Sequence, residues 1–376
     1  MKISNNIKAG LNNISSIILN EFKTISGSFA IVLVLMGGIF MYGLLYNYMY
    51  APDVVRNVPV VVVDNSKTEL SREYIRLLNA TPQVDVIATG EDYPQAQELM
   101  KMDEAAGILY LPYDFTDRVS RGDESVFIMY ETTNAFLNYL AMQEASAGSM
   151  LALNDRYRPE MVVFLPSQDA AQLSVAKPIN VAGTALYNYT EGYGSYLIPA
   201  VMMIIIFQTL LMVIGMVTGE EYSSDGIRTY APFGHTWAAA IRIVAGKAFV
   251  YCGLYAIFSF FLLGLLPYFF SIPNIGNGLY IVLLMIPYLI ATSFLGLAAS
   301  RYFTDSEAPL LMIAFFSVGL IFLSGVSYPM ELMPWYWKAA HYILPAAPAT
   351  LAFVQLNSMG ASMADIRPEY ITLWIQ

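Results

Sequence analysis

The sequence has little charge, one cysteine and two histidines. Charged residues make up 13% of its 376 residues, well below the roughly 25% that is usual in soluble domains. The single cysteine, Cys252, excludes an intrachain disulfide, so any polar domain must be stable without one. The composition therefore argues against a soluble protein and against a domain held together by disulfides.

Several short motifs of enzymes are also missing. His235 and His341 are not part of an HExxH pattern, and the chain has no GxSxG pattern. The nearest approach to a phosphate-binding loop, Gly246-Lys247-Ala248, lacks the Ser or Thr after the lysine and the upstream glycine spacing. We therefore expect no catalytic residue, no metal ligand, no cofactor and no ATP hydrolysis by this chain alone.

Long apolar stretches are what the sequence has in abundance. Each reaches the roughly 20 residues that a helix needs to cross the hydrocarbon core of a bilayer. They predict an α-helical integral membrane protein with five spans. The stretches are Ser28–Tyr50, Ser195–Thr218, Ala239–Phe270, Leu279–Ser300 and Pro309–Pro329.

Ionisable residues are rare within these stretches. Arg242 and Lys247 lie near the start of the third one, where their long stems are expected to carry the charges to the membrane surface. The interiors of the other stretches hold no Asp, Glu, Lys or Arg, whereas ion-coupled transporters mark their ion path with such residues. The sequence therefore disfavours an ion-coupled pump, and the energy for any transport is expected from a partner.

The distribution of charge predicts the orientation. Cations lie before the first span, around the start of the third span and after the fourth, and an excess of cations in short loops faces the cytoplasm. The segment 51–190 carries ten Lys and Arg against nineteen Asp and Glu, so it is acidic and is expected outside. Such a surface does not suit a nucleic acid partner. The cations are Lys2, Lys8, Lys23, Arg228, Arg242, Lys247 and Arg301.

The acidic segment is typical of an inserted α/β domain. Short β-branched runs bounded by turn residues predict strands, and stretches with helical spacing between them predict helices packed on the sheet. The expected strands are Asn57–Asp64, Val84–Ala88, Ala106–Leu111 and Val126–Glu131, and the expected helices are Ser66–Asn79, Tyr93–Met102 and 134–156, with an irregular return to the membrane over Arg156–Val181.

The rest of the chain divides around this domain. Residues 1–27 have apolar positions at helical spacing and predict an amphipathic helix in the cytoplasmic membrane interface, or else an extension of the first span. The other expected segments are span one at 28–50, the outer domain with its return segment at 51–190, spans two to five at 195–330, short broken helices at 331–369 and the start of another helix at 370–376. The apolar positions are Ile3, Ile7, Leu11, Ile14, Ile18 and Phe22.

Several motifs, taken in order, resemble those of one family, the permease subunit of bacterial type-2 ABC transporters with a large periplasmic domain between spans one and two. The resemblance covers nearly the whole length, although the arginines of the family's R-E-R-E motif are replaced here and only five of its six spans are seen. The motifs include Val60–Asn65 with the following serine turn, Gly219-Glu220-Glu221-Tyr222, Gly246-Lys247, Leu323-Ser324-Gly325, Tyr328-Pro329 and Met333-Pro334.

The resemblance implies partners and sites. It implies an exporter in the bacterial inner membrane, formed by two permease chains as a homo- or heterodimer, each docked on a separate cytoplasmic ABC ATPase, with a periplasmic membrane-fusion adaptor as a further partner. Docking falls on the loop 219–238, with the candidates Glu220, Glu221, Tyr222, Asp225, Gly226, Arg228, Tyr230, Pro232 and Phe233. An outer-interface motif comprises Gly325, Tyr328, Pro329, Met333 and Pro334.

The residues of the spans bear on the substrate and on two other classes of function. Span walls rich in Met, Leu, Ile and Phe suit an apolar or amphipathic substrate, or simply lipid contact. A membrane-anchored receptor or sensor would also place a domain outside, but it needs an appended cytoplasmic signalling domain. An intramembrane enzyme needs partners for Ser259 or Ser317 that the spans do not supply. The permease is therefore the favoured interpretation.

Overall fold

The chain forms two compact units, described in a computed structural model that covers residues 2–51, 53–90, 92–121, 125–130, 136–164, 192–224 and 236–376. The first unit comprises Met1–Asp53 and Ala185–Gln376, and the second comprises Val54–Thr184. The first is helical, and all strands that the structure describes belong to the second.

The helices and strands are labelled in chain order. They are α1 (Lys2–Gly27), α2 (Phe29–Met49), β1 (Val58–Asp64), α3 (Glu69–Asn79), β2 (Val84–Gly90), α4 (Tyr93–Lys101), β3 (Gly107–Leu111), α5 (Phe115–Arg121), β4 (Phe127–Tyr130), α6 (Phe136–Phe164), α7 (Tyr193–Ser223), α8 (Trp237–Phe269), α9 (Gly278–Tyr302), α10 (Ala308–Leu323), α11 (Trp335–His341), α12 (Ala346–Met359) and α13 (Arg367–Ile375). Short π-helical turns interrupt α2 at Leu33–Gly37 and α8 at Phe261–Leu265.

Four of the described helices, α2, α7, α8 and α9, are long and apolar enough to cross a membrane. The number rises to five if α11 and α12, which meet at an angle of 85°, form one bent span. The expected fifth span at Pro309–Pro329 is instead the 16-residue helix α10, shorter than the roughly 20 residues of a full crossing. The chain leaves the helix because Gly325 takes a left-handed conformation, with φ of 83°.

Helix α7 is the centre of the helical unit. In its most apolar window 83% of the residues are buried, against 22% in α2 and 44% in α8. A helix that is apolar on all sides is stable when other helices surround it. Packing around α7 therefore forms the main core, to which α2, α8, α9 and α12 also contribute.

The start of α7 is capped by a residue that follows α2. The carboxylate of Asp53 accepts hydrogen bonds from the Ser195 amide at 2.6 Å and from the Ser195 hydroxyl. Gly194 allows this close approach, because a Cβ there would lie 2.8 Å from the Tyr50 carbonyl oxygen. A carboxylate at a helix N-terminus also interacts favourably with the helix dipole. Asp53 thus joins the end of α2 to the beginning of α7.

The second unit is built on a four-stranded sheet in the order β2-β1-β3-β4. Strand β1 is parallel to β2 and β3, and β4 is antiparallel to β3. Both faces of β1 are covered. Val60 and Val62 pack in one apolar cluster, and Val61 and Val63 pack in another on the opposite face. A parallel strand buried on both faces explains the uninterrupted valine run.

The four expected strands are confirmed, although their bounds shift by one or two residues. The helices differ from the expectation in two places. Helix α5 was not expected, and α6 continues to Phe164, where an irregular return from Arg156 was expected. The remainder of that return segment, from 165 onward, lies outside the described residues.

The serine turn after β1 is a capping structure. The Asp64 carboxylate accepts hydrogen bonds from the amides of Ser66 and Lys67, both at 3.0 Å, and from the Ser71 hydroxyl at 2.7 Å. Thr68 and Ser71 form a reciprocal capping box at the start of α3. The motif therefore stabilises a strand-to-helix turn.

We expect Asp53→Ala to lower the stability of the protein by about 0.5–2 kcal/mol, because the first turn of α7 loses its acceptor. The measurement is thermal unfolding of the full chain in detergent. Asp92→Ala is the matched control, because Asp92 occupies the N-cap position of α4 without a side-chain capping bond. Equal melting temperatures for the two variants would contradict the capping role of Asp53.

Candidate functional site

A buried lysine joins three helices of the first unit. The Lys247 ammonium on α8 contacts the Glu221 carboxylate on α7, with Nζ at 2.7 Å from Oε1 and 2.8 Å from Oε2. The same ammonium forms an ion pair with Glu21 on α1. All three side chains are at least nine-tenths buried. We call these residues, together with Tyr251, the charged cluster.

Two residues of α8 hold both carboxylate oxygens of Glu21. Oε1 faces Lys247, and Oε2 accepts a hydrogen bond from the Tyr251 hydroxyl at 2.8 Å. Residues four positions apart lie on the same face of a helix. Lys247 and Tyr251 therefore fix both the position and the orientation of this carboxylate.

A glycine allows α1 to come this close to α8. A Cβ at Gly246 would lie 3.0 Å from Ile17 Cγ2, so a larger residue would require Ile17 to shift. Ile17 and Glu21 are one turn apart on α1 and both are buried. The Gly246-Lys247 pair thus combines a close helix contact with a charge that stabilises it.

The buried ammonium of Lys247 is stable only while its carboxylate partners stay in place. Removing a charge from water costs several kcal/mol, and only well-placed opposite charges and hydrogen bonds offset this cost. Lys247 has two carboxylates within contact distance, so the burial is compensated by groups from two other helices. Separating α1, α7 and α8 would leave charged groups in an apolar setting.

The end of α7 next to the charged cluster is tightly packed against the loop that follows α9 and the first turn of α10. A Cβ at Gly215 would lie 2.6 Å from Pro309 Cβ, and one at Gly219 would collide with the backbone of Asp305. Ser223 donates its hydroxyl to the Gly219 carbonyl at 2.8 Å. These contacts hold the last turns of α7 in place.

The structure describes three of the expected docking residues. Tyr222 is 56% exposed and Glu220 is partly exposed, so both are accessible at the end of α7. Glu221 is not on the surface, because its carboxylate turns inward to Lys247. The other candidates, Asp225, Gly226, Arg228, Tyr230, Pro232 and Phe233, lie outside the described residues.

The expected outer-interface motif forms the turns after α10. Gly325 has no room for a side chain, since a Cβ would lie 2.7 Å from Met330 Cγ. The Tyr196 hydroxyl on α7 donates to the carbonyl of Val326. Tyr328 is exposed, Met333 is buried, Pro329 precedes a short 3₁₀ turn and Pro334 precedes α11. The motif therefore shapes the chain between α10 and α11.

The charged cluster corrects the expectation that Lys247 reaches the membrane surface. Its ammonium is buried and paired. The buried face of α1 also differs from the expected one, because Ile17, Glu21 and Ile25 are buried while Phe22 is 46% exposed. The spacing of four between Lys247 and Tyr251, which places both on one face of α8, was the signal of this cluster that the sequence offered. Among the described residues, no three His, Cys, Asp or Glu side chains are grouped as metal ligands.

We expect Lys247→Ala to destabilise the protein by about 3–5 kcal/mol, because it leaves two buried carboxylates without their ammonium. The measurement is thermal unfolding in detergent. Arg242→Ala is the matched control, because it also removes a cation from α8. The hydrogen bond of Arg242 to the Ala238 carbonyl is exposed. A similar loss in both variants would contradict a special role of the charged cluster.

The exchange of Glu21 and Lys247 tests the pairing itself. Glu21→Lys combined with Lys247→Glu keeps one ammonium and two carboxylates in the charged cluster. We expect the double variant to be more stable than the sum of the two single variants indicates, by the coupling energy of a direct contact. Additive losses of melting temperature would show that the two side chains do not interact.

Comparison with known proteins places the chain in a family. A family model described as ABC-2 family transporter protein matches residues 28–376. Neither a curated protein nor a solved structure matches the chain. The family match includes four long apolar helices and most of the charged cluster, in a multi-pass membrane protein. The chain therefore belongs to the ABC-2 family of transporter proteins and is a membrane component of an ABC transporter.

Proposed function

We propose that the chain is the permease subunit of an ATP-driven exporter and that a separate ATPase supplies the energy. The observation that carries this proposal is the charged cluster at the end of α7, the helix that precedes the proposed docking residues 225–233, within a chain of the ABC-2 family. This cluster joins α7 to α1 and α8. It is suited to pass a force from the end of α7 into the bundle.

The proposed coupling path starts at the exposed end of α7. Tyr222 and Glu220, with the loop residues 225–233, form the docking surface for the ATPase. Glu221 on the opposite side of the same helix turn contacts Lys247. A displacement of the end of α7 therefore acts directly on α8, and through Glu21 on α1.

The proposed setting is a bacterial inner membrane with α1 on the cytoplasmic side. The acidic unit Val54–Thr184 is then periplasmic, where a membrane-fusion adaptor is its proposed partner. A second permease chain completes the transporter, as a homo- or heterodimer. The support for this orientation is the distribution of cations, which favours the cytoplasm for the short loops that carry them.

The proposed substrate is apolar or amphipathic and moves outward. The apolar windows of α2, α7, α8 and α9 contain at most two charged residues each, and the charges of the cluster are paired. A strongly charged substrate would meet few compensating groups along these helices. The apolar faces of these helices favour a substrate that is soluble in lipid and can leave it.

We expect Tyr222→Ala to weaken ATPase binding by about tenfold, or about 1.4 kcal/mol, because an exposed tyrosine is a typical anchor of a protein interface. The measurement is the affinity of the purified full-length chain for the ATPase that co-purifies with it. Tyr302→Ala is the control, because Tyr302 is an exposed tyrosine at the end of α9 on the same proposed side. Unchanged affinity for Tyr222→Ala would contradict the docking surface.

Tyr251→Phe tests the coupling separately from docking. We expect ATPase binding to stay normal while substrate-stimulated ATP hydrolysis falls, because Glu21 loses one of its two contacts on α8. Tyr288→Phe is the matched control, since it also removes one buried hydrogen bond, from the Tyr288 hydroxyl to the Met203 carbonyl at 2.7 Å. An equal effect of both variants on stimulated hydrolysis would contradict the coupling path.

Two single-cysteine variants test the orientation. In a Cys252→Ser background, Tyr113→Cys and Tyr302→Cys each introduce one thiol at a position more than 80% exposed. We expect a membrane-impermeant maleimide to label Tyr113→Cys in intact cells and to label Tyr302→Cys only after the membrane is opened. The reverse pattern would show that the second unit faces the cytoplasm.

A further inference from the structure

A large apolar cavity lies between α8 and α9, and no residue of the charged cluster lines it. Its volume is about 640 Å³, within the range of pockets that bind small molecules. None of the lining residues carries a charge. One wall is a face of α8 that includes Gly253 and Ala256, and the other is a face of α9 that includes Val282 and Met285.

The cavity is long and follows the two helices. On α9 its lining runs from Gly278 to Ile290, which corresponds to about 18 Å at the helical rise of 1.5 Å per residue. The hydrocarbon core of a bilayer is about 30 Å thick, so one leaflet is about half of this. The cavity therefore has nearly the depth of one leaflet.

Small residues and an irregular helix create the space. Gly253 has no atom within 4 Å of the position that a Cβ would take, so the α8 wall is open at this turn. Leu263 and Gly264, which line the cavity, lie in the π-helical turn Phe261–Leu265. Such turns occur frequently at functional sites. The concave wall is thus part of the structure of α8.

The rim of the cavity faces hydrocarbon. Phe249 and Phe260 on α8 are 68% and 72% exposed, and Val282 on α9 is 58% exposed. Both helices are membrane-spanning candidates, so lipid is the expected medium outside these side chains. Water finds few polar partners in such a cavity, whereas an acyl chain gains contact along its whole length.

One end of the cavity offers a neutral hydrogen-bond donor. Asn274, in the turn between α8 and α9, lines the cavity, and its Oδ1 accepts the Gly276 amide at 2.9 Å. The side-chain amino group of Asn274 donates to no residue that the structure describes. An ester carbonyl is an acceptor of matching charge, because neither a cation nor an anion lines this end.

We propose that this cavity binds one acyl chain of a bilayer phospholipid, with the ester end at Asn274 and the chain running along α8 and α9. The occupant is neutral and apolar in its buried part, as the lining requires. This site is separate from the docking surface and the charged cluster, so it does not depend on the proposed direction of transport. A lipid held there stabilises the contact between two spans.

The experiment uses the full-length protein in nanodiscs of phosphatidylethanolamine and phosphatidylglycerol, with a small amount of phospholipid that carries a diazirine in one acyl chain. After irradiation, the labelled peptides are identified by mass spectrometry. We expect labels on the cavity faces of α8 and α9 above the level on other exposed apolar faces. Equal labelling of all exposed apolar faces would overturn the proposal.

Filling the cavity provides the decisive comparison. Gly253→Leu occupies open space in the α8 wall and should abolish the excess label, and Val282→Trp should do the same from α9. Gly319→Leu is the matched control, because a Cβ at Gly319 on α10 also meets nothing within 4 Å. Excess label that persists in both filling variants, each checked for a single folded species by gel filtration, would overturn the proposal.

A last variant distinguishes an acyl chain from a polar ligand. The Ser259 hydroxyl lines the cavity, is buried and has no hydrogen-bond partner among the described residues. Ser259→Ala should keep the excess label, because the contact with an acyl chain is apolar. Loss of the label in Ser259→Ala would overturn the proposal in favour of a ligand that hydrogen-bonds to the hydroxyl. ATPase binding measured in parallel separates this result from the proposed function.

Discussion

The pairing of Lys247 with two carboxylates ties three helices of the helical unit together. A charged group in an apolar environment is stable only where opposite charges and hydrogen bonds surround it. Here those groups come from α1 and α7, so the three helices share one requirement. None of them can move away alone without leaving a buried charge uncompensated. Gly246 supports the same arrangement by allowing α1 to pack closely.

The local signals of the sequence predict most of the elements but not this cluster. Strands such as β1 and spans such as α7 follow from runs of apolar residues, and these runs are visible within one window of sequence. The partners of Lys247 are not, because Glu221 is 26 positions away in the chain and Glu21 is farther still. A lysine in an apolar stretch therefore looks like a surface residue until its partners are known.

The chain after α9 shows a second limit of predicting spans from hydropathy. The apolar stretch Pro309–Pro329 is long enough for a span, yet α10 ends at Leu323 because Gly325 turns the chain in a left-handed conformation. Window averages count apolar residues and do not see where a helix stops. Window averages likewise do not predict the bend of 85° between α11 and α12. Helix ends depend on single residues, whereas helix existence depends on many.

Helix α8 connects the charged cluster with the apolar cavity. Adjacent residues face different surroundings, since Tyr251 donates to Glu21 while Cys252 lines the cavity. The helix is continuous from Trp237 to Phe269 apart from one π-helical turn. A helix transmits rotation along its length because its backbone hydrogen bonds join every turn to the next. Any rotation of α8 imposed at Lys247 therefore moves Gly253 and Ala256, and with them the wall of the proposed lipid site.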